Sequence, residues 1–136
     1  MEIVPNLHFN GNCESALKLY ESAFGAHRTV FLRYKDANPA DMDPVLDATV
    51  QDYVYHAEIM IYGQRMMLTD HLEKIPRGIN LSLVVSFDSV EELQQTYQIL
   101  KVGARILTPM TQTTYSPGFM SLVDPYGIRW ELMVEN

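Results

Sequence analysis

His56 and Glu58 stand two residues apart in Tyr53-Val54-Tyr55-His56-Ala57-Glu58-Ile59-Met60-Ile61, a stretch rich in β-branched and aromatic residues. On a strand that spacing sends both side chains to one face, where an imidazole and a carboxylate can hydrogen-bond a ligand or share a proton. The same spacing also suits a polar pair on the wetter face of a sheet. A further carboxylate, Glu131, lies near the end of the chain. From Ile128 the residues alternate, with Ile128, Trp130, Leu132 and Val134 on one side and Arg129, Glu131, Met133 and Glu135 on the other. Left unpaired inside a cavity, Glu131 is a candidate general base, because burial raises a carboxyl pKa. Meeting water or a cation, it is a solvated charge. Glu131, His56 and Glu58 are therefore the candidate catalytic residues, and together they could rebuild a metal site.

Other reactive residue types carry less. Cys13 falls on the apolar stripe of a helix with Ala16, Leu17 and Tyr20, which points to packing, although a helix N-terminus can activate a thiol. Asp36, Asp41, Asp43, Asp47 and Asp52 lack the spacing of a calcium loop. His8, His27 and His71 are isolated in sequence and receive no role.

The elements that position these residues can be read in order. Ile3 to Phe9 is expected to form a strand, and Asn12 to cap a helix carrying Cys13, Ala16, Leu17, Tyr20, Ala23 and Phe24, which Gly25 ends. Arg28 to Tyr34 is a second strand. Lys35 to Asp52 is a long, charged connection with turns at Asn38-Pro39 and Asp43-Pro44. Tyr53 to Ile61 and Arg65 to Thr69 are strands about a Tyr62-Gly63 turn, and His71 to Gly78 is a linker. The order then recurs: a strand at Leu81 to Phe87, and a helix with Leu93, Tyr97 and Leu100, opened by Ser89 and Glu92 as a capping box and ended by Gly103. Strands follow at Arg105 to Pro109, Gly118 to Val123 and Ile128 to Val134, the last after an Asp124-Pro125-Tyr126-Gly127 turn.

That recurrence is visible in the residues. Tyr62-Gly63-Gln64-Arg65-Met66-Met67-Leu68 and Tyr126-Gly127-Ile128-Arg129-Trp130-Glu131-Leu132 agree at Tyr, Gly, Arg and Leu, an offset of 64 (126 − 62). Gly25-Ala26 and Gly103-Ala104 agree at an offset of 78 (103 − 25). One insertion in the Lys35 to Asp52 connection reconciles the two. The expected class is α+β, with two βαβββ repeats at about residues 1–72 and 79–136 in a single domain. Their helix-free sheet faces would curve around a cavity suited to a small molecule.

Composition narrows the function. A chain of 136 residues, 47% hydrophobic, can bury an ordinary core, and a net charge of −7 argues against general attraction to nucleic acid or anionic membranes. No apolar run approaches the ~20 residues of a membrane span, and the N-terminus has no cleavable signal pattern. A single cysteine, Cys13, forms no internal disulfide. A cytoplasmic protein is expected.

Phe9-Asn10-Gly11-Asn12 before the helix, His56-Ala57-Glu58, Leu68-Thr69-Asp70 and Asp124-Pro125-Tyr126-Gly127 followed by Trp130 resemble the PhnB-like branch of the glyoxalase, bleomycin-resistance and dioxygenase superfamily, the vicinal oxygen chelate fold. The resemblance implies a homodimer. It also implies metal-ligand positions on the first and last strand of each half, which fall on Pro5, Met67, Ser82 and Glu131, with Leu83 in place of Ser82 if the register slips by one. Only Glu131 is a competent ligand for a hard or borderline divalent ion. The reading that follows is a protein that binds a small organic molecule in its cavity without the usual metal and without another cofactor, with Met67, Met60, Leu7 and Ser82 as ligand contacts. The alternative is a metal-dependent lyase, isomerase or dioxygenase with a noncanonical ligand set. Sequences of this branch have been labelled ubiquinone-pathway methyltransferases, but this chain has no glycine-rich strand-to-helix motif for a nucleotide-like cofactor.

Overall fold

The computed structural model describes residues 1–42 and 46–136. The Asp43-Pro44 turn expected above lies outside the described residues. The chain forms two compact units, Met1–Pro76 and Arg77–Asn136.

The first unit runs β1 (Asn6–Phe9), α1 (Cys13–Phe24), β2 (His27–Arg33), β3 (Val54–Ile61) and β4 (Gln64–Asp70). Its sheet has the order β1-β4-β3-β2, with β1 parallel to β4 and the other pairs antiparallel. The apolar stripe of α1 buries the six residues its spacing predicts, Cys13, Ala16, Leu17, Tyr20, Ala23 and Phe24. Gly25 stops the helix in the left-handed conformation (φ 66°) and donates its N–H to Glu21 O at 3.1 Å.

The N-terminus of α1 differs from expectation. Asn12 makes no side-chain cap. Asp70, from the far end of β4, does this work: its Oδ1 accepts from Gly11 N at 2.7 Å and Cys13 N at 3.0 Å, and its Oδ2 from Val54 N at 2.9 Å. A charged acceptor that reaches several backbone donors serves a helix N-terminus better than a neighbouring amide.

Because Asp70 meets α1, alternation along β4 puts Met66 and Leu68 on the helix side and Arg65, Met67 and Thr69 on the other. Tyr62 (φ 48°) and Gly63 (φ 81°) both take positive φ, which matches a two-residue hairpin of the twist that antiparallel strands favour. The connection after β2 contains one-turn helices at Tyr34–Asp36, Pro39–Asp41 and Ala48–Val50. Asn38 and Asp47 cap the second and third through Ala40 N and Thr49 N.

The second unit runs β5 (Leu83–Phe87), α2 (Val90–Leu100), β6 (Arg105–Thr113), β7 (Ser116–Val123) and β8 (Arg129–Val134), with sheet order β5-β8-β7-β6. Ser89 caps α2 through Glu92 N at 3.2 Å, as its sequence predicts. A Cβ built on Gly118 would meet Val90 of α2 at 3.0 Å, so Gly118, Met120 and Leu122 face the helix, with their partners Val134, Leu132 and Trp130. Ser121, Glu131 and Arg129 point the other way.

Strand β6 is longer than the Arg105 to Pro109 expected. It passes through Pro109 to Thr113, because it is the sheet's outer strand, where a missing N–H is tolerated. Its pairing with β7 shifts register at three places. Asp124 fixes the turn before β8: its Oδ1 accepts from Tyr126 N at 2.9 Å and Ile128 N at 3.1 Å, and its Oδ2 from the Trp130 indole at 2.9 Å.

Candidate ligand-binding faces

Each sheet has one face without a helix, and the polar residues singled out from the sequence divide between these two faces. In the first unit His56 and Glu58 are side by side as their spacing predicts, with Nε2 3.2 Å from Oε2. The sequence alone did not suggest their partner. Arg65 Nη1 donates to Glu58 Oε1, and Arg65 also bonds Glu2 Oε1 through Nε at 3.1 Å and Nη2 at 2.7 Å. The Tyr62-Gly63 hairpin sets Met60 opposite Arg65 and Glu58 opposite Met67, so Arg65 is the diagonal neighbour of Glu58. The register set by the Tyr62-Gly63 hairpin is the signal that locates it.

The guanidinium, and after it the imidazole, hold the Glu58 carboxyl below the usual carboxylate range. Glu58 is thus a permanent anion near neutral pH, suited to orient His56 rather than to accept a proton itself.

Met60 and Met67 are half-buried on this face. Leu7 is not. It pairs with Leu68 on the helix side and is 8% exposed, so it belongs to the core under α1 and not to the ligand contacts expected of it. Alternation along so short a strand is settled only once its partner is known.

The histidines that looked isolated include a pair. His8 Nδ1 lies 2.6 Å from His71 Nε2, one on β1 and the other just past β4. Partial desolvation of the otherwise exposed ring, and then the neighbouring His71, push the His8 pKa down. Cys13 is fully buried, and burial, followed by the charges of Asp70 and Glu14, pushes its thiol pKa far up, so it is packing and not a nucleophile.

In the second unit Glu131 is half-buried and meets Arg129 Nη2 at 3.4 Å, while Arg129 Nη1 donates to Ile79 O at 2.7 Å. Ser121 sits directly opposite Glu131 in the register and is 1% exposed. Among the described residues, Ser121 Oγ and Arg129 Nε are the buried side-chain polar atoms without a hydrogen-bond partner. Each such atom costs about 1–3 kcal/mol if it stays unmet.

The two registers also test the placement of the superfamily's ligand positions. Asn6 pairs with Met67 and Val84 with Glu131, so the first strands of the two units correspond at an offset of 78 (84 − 6). Carrying the alternation two residues back puts Val4 and Ser82 on the faces of Met67 and Glu131. On that register the counterpart of Ser82 is Val4, one residue before the expected Pro5. Ser82 itself precedes β5 and is half-buried. The donor set gains nothing from the correction, since valine ligates no metal. No group of three or more His, Cys, Asp or Glu able to hold a metal ion occurs among the described residues.

Two βαβββ units, each with a helix on one sheet face and a first strand parallel to the last, define the glyoxalase-type fold. The chain belongs to the glyoxalase/bleomycin resistance protein/dioxygenase superfamily, whose family model matches residues 7–132. It is similar to protein YjdN of Escherichia coli strain K12, with 23% identity across 98% of this chain and 95% of YjdN. Its fold is that of protein PA1353 from Pseudomonas aeruginosa (TM-score 0.86, 24% identity, 99% and 98% of the two chains). A PhnB protein from Bacillus cereus, provisionally described as a 3-demethylubiquinone-9 3-methyltransferase, is similar at TM-score 0.81 and 26% identity, over 98% and 99% of the chains. No described helix is long and apolar enough to cross a membrane.

Proposed function

We propose that this protein binds a small organic molecule against the helix-free faces of its sheets and does so without a metal at the superfamily's usual positions. The observation that carries the reading is the donor set at those positions, Val4 or Pro5, Met67, Ser82 and Glu131. One carboxylate, one hydroxyl and a thioether do not fit a hard or borderline divalent ion. The unmet Ser121 Oγ and Arg129 Nε beside Glu131 supply polar groups that a ligand can satisfy. In the first unit Met60 and Met67 supply adaptable apolar contacts next to His56 and Glu58. By analogy with the superfamily the working form is a homodimer in the cytoplasm.

The test is metal analysis of protein purified without chelators, alongside a thermal-shift screen of small organic molecules with and without chelator. Expected are stabilising ligands whose effect survives chelation. A stoichiometric divalent ion that is lost on Glu131→Gln overturns the reading.

A second reading, a metal-dependent lyase, isomerase or dioxygenase with a rebuilt ligand set, draws on the His56–Glu58 pair, which holds an imidazole oriented by a fixed anion. Turnover that requires added metal and is abolished by His56→Ala selects it.

A further inference from the structure

We propose that His8 and His71 form a two-imidazole site for a borderline divalent transition ion such as Zn²⁺ or Ni²⁺, apart from the superfamily's metal positions. The site rests on convergence. The two residues are 63 apart in sequence, yet His8 Nδ1 and His71 Nε2 aim at one point 2.6 Å from end to end. Two Zn–N bonds of about 2.0–2.1 Å in a tetrahedral arrangement set their nitrogens about 3.4 Å apart. An ion therefore enters by opening the pair by less than about 1 Å, within the reach of a side-chain adjustment.

The backbone on both sides is already fixed. His8 is inside β1 opposite Thr69. His71 donates its N–H to Phe9 O at 2.6 Å, and its carbonyl accepts from Asn10 Nδ2 at 2.8 Å. Neither His8 Nε2 nor His71 Nδ1 has a hydrogen-bond partner among the described residues, so no second contact commits either ring to a tautomer that opposes metal binding. His8 is solvent-exposed and His71 half-exposed, which leaves the ion an entry path.

The ligand chemistry selects the ion. Neutral imidazoles suit zinc, nickel and copper, and hard ions such as Mg²⁺ prefer oxygen ligands. With two protein ligands the remaining positions stay with water or with an oxygen or nitrogen of a bound solute. His8 shares the helix-free face of the first unit with Met67 and Thr69, because their partners alternate in step along β1 and β4. An ion held there is presented to whatever binds that face.

The experiment is equilibrium titration of the chelator-stripped full-length protein with Zn²⁺ and, separately, Ni²⁺ and Mg²⁺ at pH 7.5. It is repeated on His8→Ala, His71→Ala, the double variant and Glu131→Gln, with circular dichroism to confirm folding. Expected are one site for Zn²⁺ and for Ni²⁺, at least about tenfold weaker in each single histidine variant and unchanged in Glu131→Gln. Mg²⁺ does not occupy it, and binding weakens as the solution is acidified, because protons compete with the ion for the two imidazoles. The double variant titrating like wild type, or Mg²⁺ binding as well as Zn²⁺, overturns the site. Loss of binding in Glu131→Gln overturns it too, and moves the ion to the superfamily's own position.

Discussion

Asp70 and Cys13 are joined across 57 positions of sequence by a buried hydrogen bond, from the Cys13 amide to Asp70 Oδ1 at 3.0 Å. The carboxylate that ends β4 thereby starts α1. It also ties down Gly11 and Val54, while its own carbonyl accepts from the Tyr34 hydroxyl at 2.7 Å.

Asp70→Ala leaves three backbone donors without that acceptor in a site only 2% exposed. The expected loss is about 3–5 kcal/mol, read from urea unfolding midpoints at constant slope. Asp70→Asn keeps one acceptor oxygen and should lose less. Equal losses in the two variants would mean that the charge, and not the bonds, is what matters.

The ion network of Glu58 makes stability depend on pH. Its carboxyl pKa lies below the ordinary glutamate value of 4.5 in the folded chain, chiefly through Arg65 and then His56. The contribution is complete above 4.5 and is lost as pH falls through the folded pKa. Melting temperatures recorded from pH 7 to 3 should fall more steeply for wild type than for Glu58→Gln. Parallel curves would show that Arg65 contributes nothing to stability through this carboxylate.

His8 works in the opposite direction of charge. Its folded pKa lies below the ordinary histidine value of 6.5, so the unfolded chain binds the proton more readily. Stability from this group is whole above pH 6.5 and declines as pH falls through the folded value. Without added metal, His8→Asn should flatten the melting curve in that window, and the ring protons of His8 should titrate below 6.5 by NMR.

The Cys13 thiol, fully buried and with its pKa raised, should resist a thiol-specific reagent in the native protein. Reaction at the rate of an exposed thiol, in the absence of denaturant, would contradict its place in the core. In denaturant the reaction should be complete, since no disulfide protects the residue.

The architecture was largely legible because local signals carry it. The α1 stripe, its glycine stop, the Ser89 cap and the alternation around Trp130 all act within a few residues. Among the described residues, both expected helices and all eight expected strands stand where those signals put them, with ends shifted. What failed depends on distance. Asn12 looked like the cap because Asp70 is far away in sequence, and His8 looked isolated because His71 is 63 residues on. Leu7 was assigned to the wrong face because β1 has four residues and its partner decides the matter. Of the candidate site, the His56–Glu58 pair could be read directly, and Arg65 only through the hairpin register. Ser121 could not be singled out, since an unmet hydroxyl exists only once everything around it is placed.

Pro109 and the register shifts along β6 have a consequence for self-association. An outer strand offers a row of free backbone groups that another chain can extend into a larger sheet, and such growth ends in aggregates. Pro109 has no N–H to offer a further strand, and the shifts break the even spacing a newcomer must match. Strand-by-strand growth along that rim is thereby disfavoured.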